Sequence, residues 1–260
     1  MKKLYLSFLL FGAMVSVASA QIIYSDSLTG TGSTLTGTQP TVDTNGATYI
    51  GDTAHSDGSY DVLKGASGAT GQGQSDSVLL PLTLDSVGIY NVTVTASPAD
   101  FTDPLSFAFV TANQYGTTTQ GGQYETLDFN FNVVAGVVAS GAFGTDSLYI
   151  GNSATNSSLG NPYPGVPQTI SISVNSASGA VTFSDYGQVV GTGTLSESQL
   201  QSIAYVGLGF PQSVPGSVFT DFSVTETSTA VPEPSTWAIL VAGMTGLFWV
   251  TSRRRRSTGC

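Results

Sequence analysis

Ile89-Tyr90-Asn91-Val92-Thr93-Val94-Thr95 alternates apolar and polar side chains from Tyr90 onward, which puts Tyr90, Val92 and Val94 on one face of an extended chain. Leu105-Ser106-Phe107-Ala108-Phe109-Val110 repeats the pattern, and Leu127-Asp128-Phe129-Asn130-Phe131-Asn132-Val133 places Leu127, Phe129, Phe131 and Val133 together. Ile170-Ser171-Ile172-Ser173-Val174 and Ala180-Val181-Thr182-Phe183 read as a hairpin across Asn175–Gly179. A strand from Gln188 to Gly191 follows the turn Asp185-Tyr186-Gly187. Ala204–Phe210 and Val218–Val224 close the series. Val78–Leu84 reads as a buried edge strand, because Pro81 lacks the N–H that a central position needs. About a dozen short strands separated by turns predict an all-β, two-sheet antiparallel sandwich.

Composition agrees. The body is rich in Gly, Ser, Thr, Val, Tyr and Phe and poor in strong helix formers. One helical turn is expected at Ser196-Glu197-Ser198-Gln199-Leu200-Gln201, with Ser196 as the cap and Gln199 at the capping-box position. The Gly/Thr run 29–41 and the Gly/Ala/Gln run 65–73 read as surface loops, and 225–230 as a polar tether. The strand order resembles the concanavalin-like jelly roll. That resemblance implies pairing between the first strand, Ile22–Leu28, and the last, Phe219–Val224.

The ends carry addresses. Met1-Lys2-Lys3 is a positive n-region, Leu4–Val17 an apolar h-region, and Ala18-Ser19-Ala20 a small-residue cleavage site, so 1–20 reads as a signal peptide cut before Gln21. An uncleaved anchor is the alternative. At the other end the folded region, 21–226, gives way to a linker and motif (227–234), an apolar run (235–252) and a basic tail (253–260). The 14 strictly apolar or small residues 237–250 cover about 21 Å as a helix, and 235–252 reaches the short limit of a membrane span. Trp237 and Trp249 sit near its two ends, where indoles favour the interface. Arg253, Arg254, Arg255 and Arg256 form a cytoplasmic stop, which leaves the body outside the inner membrane. A buried core helix would not be apolar on all sides.

Val231-Pro232-Glu233-Pro234 precedes that span, and its two prolines hold the backbone extended and unpaired. Extended motif, apolar span and arginines, in that order, resemble the PEP-CTERM sorting signal of bacterial envelope proteins. The resemblance covers about an eighth of the chain. It implies an exosortase-type membrane protease as partner, cutting near Pro232-Glu233-Pro234 and discarding the helix, the arginines and Cys260. A plain C-terminal anchor shares the helix and the arginines but not the motif. The implied destination is the cell envelope or extracellular matrix, after transient membrane anchoring.

Charge narrows the partners further. Six of the seven Lys and Arg lie in the terminal signals, leaving Lys64 against 16 carboxylates in 21–230, a formal balance of −15. Such a surface excludes nucleic acid and anionic lipid, and it permits cations. Zinc has no ligand set, because the body holds His55 and no cysteine. No cofactor is expected, with calcium as the alternative. Asp52, Asp57 and Asp61, in one Gly/Ser-bearing loop, are its candidate ligands, with Asp100 and Asp103 in a second loop. Solvated loop acids are the plainer reading of both groups.

No catalytic residue is assigned. The Asp52–Asp57 segment around His55 lacks any pattern beyond local composition, and there is no Gly-x-Ser-x-Gly elbow. Glu125 and Asp128 point to opposite faces of a strand, while Glu197 and Glu226 each lack a neighbouring acid. The chain is therefore expected to be an exported, non-enzymatic matrix protein. The alternative is a carbohydrate-binding, lectin-like module, calcium-dependent or not, that uses Tyr49, Tyr60, Tyr115, Tyr124, Tyr163 or Tyr186 against extracellular polysaccharide. A hydrolase stands third.

Overall fold

A computed structural model describes residues 20–51, 62–71, 76–85, 87–99, 105–111, 119–120, 123–124, 133–139, 146–151, 153–157, 166–210 and 217–228. In chain order the strands are β1 (Ala20–Asp26), β2 (Ser33–Thr34), β3 (Val42–Asp43), β4 (Ile50–Gly51), β5 (Val62–Gly65), β6 (Gly68–Gly71), β7 (Asp76–Pro81), β8 (Gly88–Ser97), β9 (Leu105–Thr111) and β10 (Thr119–Gln120). They continue as β11 (Gln123–Tyr124), β12 (Val133–Ala139), β13 (Asp146–Ile150), β14 (Ser153–Ser157), β15 (Gln168–Asn175), β16 (Ala180–Asp185) and β17 (Gln188–Thr194). Helix α1 (Glu197–Ser202), β18 (Ile203–Phe210) and β19 (Val218–Ser228) complete the described elements.

Two large antiparallel sheets result. The ten-stranded sheet runs β17-β16-β15-β8-β19-β6-β5-β2, with β1 pairing to both β19 and β3. The seven-stranded sheet runs β14-β13-β12-β9-β18-β7-β4, and β10 and β11 form a separate two-residue ladder. Strand β8 fulfils its sequence pattern. Tyr90, Val92, Val94 and Ala96 are buried, while Asn91, Thr93 and Thr95 face the other way. They share one core with Ile170, Ile172, Val174, Val181, Phe183, Phe219 and Phe222 of the same sheet. Across the interface lie Val78, Leu80, Leu105, Phe107, Phe109, Val137, Val206, Leu208 and Phe210. Phe210 meets Phe219 edge to face, with ring centroids 5.2 Å apart, and so joins the two layers.

The first and last strands pair. Gln21 lies opposite Glu226, and Asp26 opposite Phe222. The 175–179 hairpin forms in the expected register, with Val174 across from Val181. Helix α1 is capped as its sequence predicts: the Ser196 hydroxyl accepts from the Gln199 N–H, and the Gln199 side chain accepts from the Ser196 N–H.

Four expectations change. Strand β7 is not an edge, because it lies between β18 and β4. Pro81 is its final residue, where a missing N–H interrupts no ladder. The supposed loop 65–73 supplies half of the β5–β6 hairpin, and β6 pairs with the last strand at Ala69–Phe219. The 29–41 run contains β2, and its Leu35 is fully buried. Finally, 225–228 is no tether, since β19 runs on to Ser228 between β8 and β1. The expected strand 127–133 falls outside the described residues except for Val133, which opens β12.

Strand β9 also departs from simple alternation. Ser106, Ala108 and Val110 are buried on the face away from the main core. There Ala108 and Val110 cluster with Leu79 and Val133, and Ile50, Tyr149 and Tyr205 pack against them. The seven-stranded sheet is thus apolar on both faces along its centre, a pattern ordinarily met in sheets covered on each side.

Candidate functional site

Asp26 closes β1 with its side chain facing the core, and Lys64 reaches it from β5. The Asp26 side chain is 1% exposed and that of Lys64 15%, and Nζ lies 2.7 Å from Oδ2. The Tyr49 hydroxyl donates to the same oxygen at 3.3 Å, while Oδ1 accepts from the Leu28 N–H at 2.9 Å and the Thr41 hydroxyl at 3.3 Å. Burial, and then the adjacent carboxylate, push the Tyr49 hydroxyl far above its ordinary range, so it remains a donor. The single lysine of the body therefore neutralises an interior carboxylate. Tyr49, one of the candidate sugar-stacking tyrosines, belongs to this buried network and offers no open ring face.

A cleft of about 530 Å³ opens elsewhere, at the end of the body that carries α1. Leu84, Leu195 and Leu200 give it an apolar floor that is continuous with the core. Asp85, Glu197, Gln201 and the 176–178 turn form its polar rim. The Gln201 amide donates to Glu197 Oε1 at 3.1 Å, and Ser176 Oγ accepts from the Gly88 N–H at 2.9 Å. Asp85 and Glu197 are far apart in sequence, so no spacing rule could have joined them. Both are exposed. An apolar floor with an acceptor-rich rim suits a ligand that has C–H faces and hydroxyl edges.

Behind this cleft the Asp85 N–H donates to the Tyr90 hydroxyl at 2.6 Å. Desolvation pushes the Tyr90 hydroxyl up to about 12. The Asp85 N–H opposes the shift, and the Glu226 and Asp85 charges add to it. The folded value exceeds the unfolded one, so this stability is intact below about pH 10 and is lost as pH rises towards about 12. Tyr90 alone should account for about 2 kcal/mol of alkaline destabilisation, with Tyr24 and Tyr49 acting in the same direction. Denaturation midpoints measured between pH 8 and 12 should fall less steeply in Tyr90→Phe; equal slopes would refute the assignment.

Of the other residues singled out by sequence, Ala20 and Gln21 are the first two residues of β1. Tyr124 lies in β11. Tyr186 sits exposed in the β16–β17 turn with φ 45°, its hydroxyl donating to the Pro167 carbonyl. Glu197 opens α1, and Glu226 lies in β19. Ala18, the Val231–Pro234 motif, Trp237, Trp249 and Arg253–Arg256 lie outside the described residues. So do Asp52, His55, Asp57, Asp61, Asp100, Asp103, Glu125, Asp128, Tyr60, Tyr115 and Tyr163. Among the described residues no helix is long and apolar enough to cross a membrane, and no three His, Cys, Asp or Glu side chains converge as a metal-ligand group.

No family model matches the chain, and no curated protein matches it in sequence. Solved structures with a similar arrangement include the metal-free Emp46p carbohydrate recognition domain, at 11% identity and TM-score 0.45, covering 71% of this chain and 89% of that one. Another is the carbohydrate esterase vb_24B_21 from Shiga toxin-encoding bacteriophage phi24B, at 15% and 0.46, covering 81% and 100%. A third is the metal-free lectin I-B4 from Griffonia simplicifolia, at 15% and 0.44, covering 71% and 93%. At these scores the likenesses carry no argument about chemistry.

Proposed function

We propose that this chain is an exported, non-enzymatic protein of the cell envelope or extracellular matrix. Its body is a concanavalin-like jelly roll, its leader is removed before Gln21, and its tail is sorted through Pro232-Glu233-Pro234. The observation that carries the reading is the order of the tail: a proline-locked extended motif, an apolar span bounded by Trp237 and Trp249, then four arginines. The body suits this arrangement. Gln21 lies opposite Glu226, so the mature chain enters and leaves the sandwich at one place, and a single attachment leaves the remaining surface free. An exosortase-type protease is the processing partner.

Mass spectrometry of the protein from its own host should give a chain that begins at Gln21 and ends near Pro232–Pro234. Replacing Pro232, Glu233 and Pro234 by alanine should trap the full tail in the inner-membrane fraction. A wild-type chain ending at Cys260 would refute processing and leave a simple anchor.

The α1 cleft favours a second reading of the body, as a carbohydrate-binding module for extracellular polysaccharide. Its three leucines and acceptor rim supply both halves of what a sugar ring presents. Glycan-array binding that weakens at least about tenfold in a Glu197→Gln, Leu200→Ala variant would support it. Binding unchanged by those substitutions, or no binding with or without chelator, would end it.

A further inference from the structure

Between residues 21 and 230 the cationic side chains are Lys64 and His55. Lys64 is already committed to Asp26. A second carboxylate is nonetheless buried: Asp185, the last residue of β16, is 7% exposed, and its Oδ1 is closed off from solvent with no hydrogen-bond partner. Gln168, the first residue of β15, is 2% exposed, and both Oε1 and Nε2 of its amide lack partners.

The register brings the two together. Asp185 lies opposite Ile170, and Gln168 is two residues from Ile170 on the same strand. Alternate burial along both strands turns both side chains inward, to the core side of the sheet. They are diagonal cross-strand neighbours, about 7 Å apart. Ala96 lies across from Gln168 and Phe219 beyond it, and the exposed Gln188 across from Asp185 makes no hydrogen bond to its Oδ1. Buried polar atoms are nearly always paired, and an interior carboxylate without a counter-charge is among the costliest features a fold can keep. Three orphaned atoms on two adjacent side chains, in a body with no spare described cation, call for a positive charge from outside the chain.

We propose that Asp185 Oδ1 and Gln168 Oε1 are two ligands of a calcium ion bound at this end of the sandwich. Both are hard oxygen donors, which excludes a preference for soft metals. Calcium accepts six to eight oxygens at about 2.3–2.6 Å in irregular geometry, so two side chains about 7 Å apart can share it with backbone carbonyls and water. Magnesium demands a near-ideal octahedron and gives up its water reluctantly, which suits an interior pair poorly. A coordinated water would accept from Gln168 Nε2–H, pairing the third orphan. Its proposed ligands do not include Asp52, Asp57 or Asp61.

The test is thermal unfolding and calorimetric calcium titration of the full chain in mild detergent, with calcium chloride, magnesium chloride or chelator. Calcium should raise the wild-type Tm by about 5 °C over chelator, and magnesium should not. Asp185→Asn should abolish the shift and, in chelator, unfold at or above the wild-type temperature, because it removes the uncompensated charge. Gln168→Leu, a second variant should the first fold poorly, should weaken calcium binding at least about tenfold. Asp52→Asn, Asp57→Asn and Asp61→Asn together should leave the shift intact. No calcium-dependent shift in the wild type, an equal shift with magnesium, an undiminished shift in Asp185→Asn, or its loss in the loop variant would each overturn the proposal.

Discussion

Lys64→Met is expected to destabilise the body by about 3–5 kcal/mol, a large share of the total stability of a domain this size. The ammonium itself gains little from being paired. The cost arises because Asp26, 1% exposed, would keep a charge with nothing to offset it. The hydroxyls of Tyr49 and Thr41 and the Leu28 N–H would remain, but neutral donors do not replace a cation. The double variant Asp26→Asn, Lys64→Met should recover most of the loss, since an amide oxygen still accepts from Leu28 and carries no charge. Chemical denaturation of the wild type and both variants decides the matter. A single variant within about 1 kcal/mol of wild type, or a double variant no better than the single, would show that the pair is not what holds Asp26 in place.

Gly68→Ala should cost about 3 kcal/mol, against about 1 kcal/mol for Gly32→Ala. Both glycines have positive φ, +138° and +86°, so both substitutions meet backbone strain. Their surroundings differ. A Cβ at Gly68 would lie 2.4 Å from the Phe219 carbonyl oxygen and 2.7 Å from Thr220 Cγ2, whereas one at Gly32 meets nothing within 4 Å. The Phe219 oxygen belongs to the backbone of β19 and cannot swing aside, so β6 must pull away from the strand it joins at Ala69–Phe219. Faster amide exchange at the start of β19, together with the larger loss of stability, would confirm this. Equal costs for the two variants would refute the close approach as the cause.

These two sites also mark the limit of what the sequence discloses. Strands with strict alternation, such as β8 and β15, could be read directly, because period two records which face meets the core. The Ser196 cap and the 175–179 turn were legible for the same reason: their chemistry is local. The 65–73 run was misread because Gly68 and Gly71 resemble loop punctuation, whereas Gly68 is there for its close approach to β19. Pro81 misled by its identity, since only the register shows that it ends its strand. The Asp26–Lys64 pair, the α1 cleft and the Asp185–Gln168 pair all join residues through the fold, and no spacing rule anticipates them. Tyr49 shows the converse: a tyrosine near loops is no sugar platform once its ring is interior.

The order of strands has a consequence for how the molecule is made. The last described strand, β19, occupies the middle of the ten-stranded sheet, between β8 on one side and β6 and β1 on the other. Vectorial emergence, from ribosome or translocation channel, therefore delivers this central strand after every other described one. Until residues 218–228 are out, β8 waits with one open hydrogen-bonding edge and the Phe219 and Phe222 sites unfilled, an interval in which a nascent chain needs shielding from its neighbours.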